Sequence, residues 1–193
     1  QSYSVISIWN YDSRGRFRIV FAKRYEGRET DPDYVVEDMV KYIRLFGVNR
    51  VGADWGFGFH TNRILQKKLG STRVIQYQYT SKMKEKVKWD KQGMKFICHR
   101  SRVMQDFFSL IKKGPKPGGI AFFNWGEFET FARDILSVFS EYSEKAREIL
   151  FNHPPGVPDD FLHTGVLALL VSQFDHRRPD LHAPGTGQKF KHR

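Results

Sequence analysis

The stretch Val51-Gly52-Ala53-Asp54-Trp55-Gly56-Phe57-Gly58-Phe59 decides how this chain is read. Asn49–Asp54 has the short apolar character of a buried strand, with Val51, Gly52 and Ala53 leading to an acid. Gly56 and Gly58 punctuate a turn. Apolar spacing then predicts a helix over Thr61–Leu69, stopped by Gly70, and Arg73–Tyr79 is again β-rich. A strand–helix–strand unit implies parallel pairing, and ligand sites in such sheets lie beyond the carboxyl ends of the strands. Asp54 sits at that position. A carboxylate there either reaches a metal or phosphate, or caps the turn that follows.

Working outward, Tyr3–Asn10 and Phe17–Tyr25 are alternating β-rich runs joined by Asp12-Ser13-Arg14-Gly15, an antiparallel hairpin. Thr30-Asp31-Pro32-Asp33 opens a helix that Gly47 closes. Lys82, Lys84, Lys86, Lys88, Lys91 and Lys95 crowd the next region. The first four alternate as if along one face of a strand, and Asp90–Gly93 has hairpin-turn chemistry. Ser101–Lys113 is amphipathic, Ile120–Phe123 a short strand, and Glu127–Leu150 a long helical region with a break near Ser140–Ser143. Pro158-Asp159-Asp160 opens an apolar helix to Phe174. Residues 175–193 are basic with little apolar content and read as a flexible tail.

The 193 residues suit one domain, residues 1–174, plus that tail. Net charge is +11, which points to a polyanionic partner, nucleic acid foremost; the bland alternative is a merely basic surface. A single cysteine, Cys98, excludes an internal disulfide framework and a Cys-rich zinc site, and fits a reducing cytoplasmic setting. Apolar runs are too short for a bilayer, so no membrane partner is expected. No signal peptide is visible, and the opening Gln-Ser-Tyr reads as the start of a fragment. The chain has no P-loop, no paired-histidine metalloprotease motif and no nucleophile elbow.

Asp159 and Asp160 are candidate ligands. One Asp satisfies a helix N-terminus; two adjacent carboxylates repel, and a bound cation relieves that. Which of the two ligates is open. Oxygen-only ligands suit Mg²⁺ or Mn²⁺, and two such ions serve phosphodiester hydrolysis. His163 follows Asp160 at helical spacing and His60 follows Asp54. Each is a packing or surface histidine, or a group supporting the site. The lysines either contact DNA phosphates or keep an edge strand solvated.

Taken together, Val51–Phe59 and Pro158-Asp-Asp-Phe-Leu-His-Thr-Gly resemble the second and third acidic motifs of the C-terminal nuclease domain of the tailed-bacteriophage terminase large subunit. Arg100–Gly114 with Ile120–Phe123 resembles the helix and strand between them, and the resemblance spans roughly residues 3–174. It implies an α/β, ribonuclease H-like fold: a mixed central sheet flanked by helices, with a basic β-hairpin insertion that contacts DNA. It implies a metal-dependent endonuclease using Asp54, Asp159 and Asp160, cutting double-stranded viral DNA concatemers during genome packaging in the host cytoplasm. Partners would be DNA, an upstream ATPase domain, the small terminase subunit and the portal. In that family the first catalytic Asp lies on a strand ahead of the one Tyr3–Asn10 resembles, upstream of Gln1; Asp12 is a poor substitute. The competing expectations are a non-catalytic nucleic-acid-binding module and a junction resolvase or transposase of the same fold.

Overall fold

The computed structural model describes residues 4–173 except 57, 123, 124 and 146. Expectations for the segment 175–193, and for Phe123 and Phe174, lie outside the described residues.

β1 (Ser4–Tyr11) and β2 (Phe17–Tyr25) form the expected antiparallel hairpin. Asp12 accepts the backbone N–H groups of Arg14 and Arg16 across the turn, and Gly15 takes the positive φ that the turn requires. α1 (Pro32–Leu45) is capped by the Asp31 carboxylate, which accepts from Asp33 and Tyr34 N–H, with proline at the first helical position. β3 (Val51–Asp54), α2 (Phe59–Leu69) and β4 (Val74–Thr80) make the strand–helix–strand unit, and β3 and β4 pair in parallel.

β5 (Val87–Asp90) and β6 (Lys95–His99) are a hairpin, but not an inserted one. β6 pairs in parallel with β4 and buries Phe96 and Cys98, so it belongs to the core sheet. α3 (Arg100–Lys113) follows directly. β7 (Ile120–Ala121) is shorter than its apolar run predicts and lies parallel to β2.

The region 127–150 is not one long helix. α4 (Trp125–Leu136) ends early, and β8 (Phe139–Ser143) pairs antiparallel with β9 (Glu148–Asn152) as a separate hairpin. Phe139, Tyr142, Ile149 and Phe151 carry strand chemistry, while the Glu144-Lys145-Ala146-Arg147-Glu148 stretch between them has high helix propensity and masks it. α5 (Asp160–Gln173) is apolar nearly all round, with Phe161, Leu162, Val166, Leu167, Leu169, Leu170 and Val171 buried. Such a helix belongs at the centre of a core.

The chain is thus a mixed α/β fold of helices packed on sheets of mixed strand direction. The expected single central sheet is two sheets, in the orders β1-β2-β7 and β3-β4-β6-β5. β1 and β3 each end their sheet, and α5 packs across both. Alternation along β3 sets what faces what. Val51 and Ala53 join Val36, Ile43 and Leu65 of α1 and α2 on one face. Gly52 meets α5 on the other: a Cβ there would stand 2.8 Å from the Leu167 carbonyl oxygen. Asp54, two residues on, therefore projects toward the α5 face.

Candidate active site

Asp54, Tyr79, Arg100, Asp160, His163 and Thr164 line one cavity. β3 supplies Asp54 and β4 supplies Tyr79, because parallel strands end on the same side of the sheet. Arg100 opens α3, and α5 supplies the rest from its first turns.

Asp54 does both things its sequence position allows. One carboxylate oxygen accepts the Gly56 N–H at 3.1 Å, capping the turn, while the side chain still faces the cavity. Its backbone carbonyl is held by the Asn62 side chain at 2.5 Å. Desolvation by the cavity walls raises its pKa, and the nearby Asp160 charge adds to that rise against the Gly56 N–H and His163.

The adjacent acids have different surroundings. Asp159 faces basic side chains: His163 Nε2 at 3.1 Å, with His153 Nε2 and an Arg100 guanidinium nitrogen each at 3.7 Å. Burial pushes the Asp159 carboxyl up, but the His163 hydrogen bond and the His163, His153 and Arg100 charges outweigh it and leave its pKa lowered. Asp160 instead shares the cavity, and an electrostatic interaction, with Asp54. The pair that looked equivalent in sequence divides into a carboxylate set among His163, His153 and Arg100 and one that lines the cavity with Asp54.

His163 is a bridge. Its Nδ1 lies 3.4 Å from the Tyr79 hydroxyl and its Nε2 contacts Asp159. Burial holds the Tyr79 phenol well above its ordinary range, so Tyr79 stays neutral. His60 is exposed on the first turn of α2 and is not a wall of the cavity. Among the described residues no group of three His, Cys, Asp or Glu side chains converges as a metal-holding cluster. No helix among them is long and apolar enough to cross a membrane.

The lysines do not line one strand face. Residues 81–86 are an irregular loop, and only Lys88 of the alternating four lies in a strand. Lys82, Lys84, Lys88 and Lys91 are exposed. Lys86 pairs with Asp106 at 2.6 Å. Lys95 is buried: its ammonium sits 3.3 Å from the centroid of the Trp55 ring and 3.8 Å from Asp90. It braces the residue next to Asp54 and is not presented to solvent.

No family model, no curated protein and no solved structure matches this chain. What can be said of the site comes from its own geometry.

Two supporting residues escaped sequence reading. Asp134 of α4 is 3% exposed, pairs with Arg24 at 2.5 Å and accepts the Phe161 N–H at 3.2 Å. Its one sequence signal is an acid set among Phe128, Phe131, Ala132 and Ile135. Arg100 carries no sequence signal of its own beyond opening the Arg100–Gly114 stretch. In the fold it donates to the Phe151 carbonyl at 2.7 Å, tying the β8–β9 hairpin to the site. His99, beside it, adds a 3.3 Å contact with Glu148.

Proposed function

We propose that this chain is a ribonuclease H-like nuclease domain that hydrolyses phosphodiester bonds of double-stranded DNA with divalent ions held at Asp54 and Asp160. The observation that carries this reading is the shared cavity of those two carboxylates, one of them with a raised pKa. Two carboxylates that line one partly desolvated cavity and interact electrostatically repel each other, and a bound cation offsets that. Mg²⁺ is commonly bound through one or two carboxylates, with waters and substrate phosphates completing the shell, so this donor set fits Mg²⁺ or Mn²⁺. Such ions supply Lewis acidity and an activated water.

The chain's own groups do the rest. Asp54 and Asp160 fix position. Arg100 brings positive charge to the cavity wall, suited to a phosphate, and Asp159 with Tyr79 orients the His163 ring. The basic surface, net +11, supplies affinity for the backbone without reading sequence. The finer reading rests on the motif resemblance: a terminase large-subunit nuclease cutting viral concatemers in the host cytoplasm, with an upstream ATPase domain, small subunit and portal as partners.

Relaxation of supercoiled plasmid by the full-length protein in Mn²⁺ tests this. Asp54→Asn and Asp160→Asn are each expected to abolish cutting, and undiminished cutting by both variants overturns the reading. The second reading is a non-catalytic DNA-binding module, for which the net charge of +11 alone would suffice. Tight, salt-sensitive duplex binding with no Mn²⁺-dependent cutting by the full-length protein selects it.

A further inference from the structure

α2 carries a second surface beside the acids. Its inner face holds Asn62 and Leu65, which are buried and line the cavity. Phe59, Arg63 and Lys67 recur every four residues and are all exposed, so they form one stripe on the solvent side, beginning at the turn that follows Asp54. The helix holds Arg63, Lys67 and Lys68 and has no Asp or Glu anywhere over Phe59–Leu69. An aromatic ring followed by cations, with no acid among them, suits a polyanion that also offers flat rings.

Phe59 is 45% exposed, and its place is fixed from several sides. Its N–H donates to the Gly56 carbonyl at 3.3 Å, and the Gly56 N–H donates to the Asp54 carboxylate at 3.1 Å, so ring and acid are tied through one turn. The Trp55 ring meets the Phe59 ring edge-on, with centroids 6.2 Å apart, and Trp55 is itself held by the Lys95 ammonium 3.3 Å from its centroid. The Arg63 guanidinium carbon lies 5.7 Å from the Phe59 centroid. An exposed phenyl alone asks for no explanation. This one is braced by a second aromatic, flanked by a guanidinium and tied to Asp54, so it presents a held π-face at the site itself.

We propose that this stripe is a track for a single DNA strand: an unpaired base next to the scissile phosphate stacks on Phe59, and the phosphates beyond it run along Arg63 and Lys67. The proposal rests on the nuclease reading of Asp54 and Asp160 and sharpens its substrate class. Bases inside a paired duplex are stacked on their neighbours and have no free face, so Phe59 selects a duplex that is opened where it is cut. Stacking on an aromatic ring accepts every base, which keeps the site free of sequence preference.

Equilibrium binding by the full-length protein tests this, with EDTA present to withhold metal. The two DNAs are a duplex carrying a short central bubble and the same duplex fully paired. The bubble is expected to bind about tenfold more tightly. Phe59→Ala removes that preference and leaves binding to the paired duplex unchanged, whereas Phe59→Trp keeps it. Arg63→Gln and Lys67→Gln each lower the slope of log K against log salt on the bubble by about 0.7. 5-Iodouracil placed in the bubble crosslinks to Phe59 or Trp55 on irradiation. Equal affinity of the wild type for the two DNAs overturns the proposal. So does an equal loss on both DNAs in Phe59→Ala, which makes Phe59 a support of the fold, and so do crosslinks confined to other elements. None of these readouts involves cleavage. Bubble preference without Asp54-dependent cutting leaves the track and removes the nuclease reading; Asp54-dependent cutting without bubble preference does the reverse.

Discussion

Asp134 on α4 accepts the backbone N–H of Phe161, the second residue of α5, at 3.2 Å while pairing with Arg24 at 2.5 Å. The N-terminus of α5 is therefore satisfied in part from another helix. Burial raises the Asp134 pKa against the Arg24 pair and the Phe161 N–H, and the carboxylate is kept at this cost. Asp134→Leu breaks a buried ion pair and is expected to lower unfolding stability by about 3 kcal/mol. Arg24→Met in the same chain should recover most of that, since apolar side chains replace a buried pair well. Urea titrations of the two singles and the double measure both; equal losses in the Asp134 single and the double sink this account.

Asp54 and Asp159 should respond oppositely to pH. The Asp54 carboxyl is raised, so the stability it contributes is full below 3.8 and lost as pH rises through its folded value. The Asp159 carboxyl is lowered, so its contribution is present above 3.8 and lost as pH falls through its folded value. At pH 7 the expected result is a higher Tm for Asp54→Asn and a lower Tm for Asp159→Asn. The Asp54 difference shrinks as pH falls through its raised folded value toward 3.8, whereas the Asp159 difference persists down to about 3.8 and is lost only below it. Mn²⁺ should raise the wild-type Tm and leave Asp54→Asn nearly unmoved, because binding to the native state is what stabilises it. Shifts of the same sign for both variants at pH 7 would falsify the division of labour between these acids.

The division was not readable from Pro158-Asp159-Asp160. What separates the two is whether His153, His163 and Arg100 lie beside a carboxylate, and Arg100 is 59 positions before Asp159. The strand–helix–strand unit around Asp54 was legible because one short segment carries its own period, turn glycines and acid. The β8–β9 hairpin was not, because the helix-favouring stretch between its strands argued against it. The lysines show the same limit: alternation in 82–88 looks like a strand face, yet pairing partners exist only from Val87 onward. Asp134 needed tertiary contact to be noticed at all, since Arg24 is 110 positions away.

Gly165 marks the closest packing of α5. A Cβ there would stand 2.6 and 2.9 Å from ring carbons of Phe107 and 3.2 Å from Trp9. Phe107 is fully buried and cannot yield. Alanine for glycine in a helix ordinarily gains about 1 kcal/mol, but overpacking costs about 1–3 kcal/mol. Gly165→Ala should therefore be net destabilising by about 1 kcal/mol, read as a lower denaturation midpoint with an unchanged slope. A gain in stability would mean that α5 has freedom to shift away from Trp9 and Phe107.

The lysines separate by burial, and salt dependence should show it. If DNA binding uses the exposed cations, removing the partner of one phosphate reduces the slope of log K against log salt by about 0.9. Replacing Lys82, Lys84, Lys88 and Lys91 with glutamine should then flatten the slope by about 3.6 and weaken binding to all duplexes alike. Lys95→Met should leave the slope unchanged, because its ammonium is stacked on Trp55 and paired with Asp90. Its effect should appear instead as a lower Tm and, through the Trp55 backbone beside Asp54, a lower cleavage rate at saturating DNA. Filter-binding titrations across salt concentrations decide it: a slope reduced by Lys95→Met as much as by Lys88→Gln would place Lys95 on the DNA rather than in the support of Asp54.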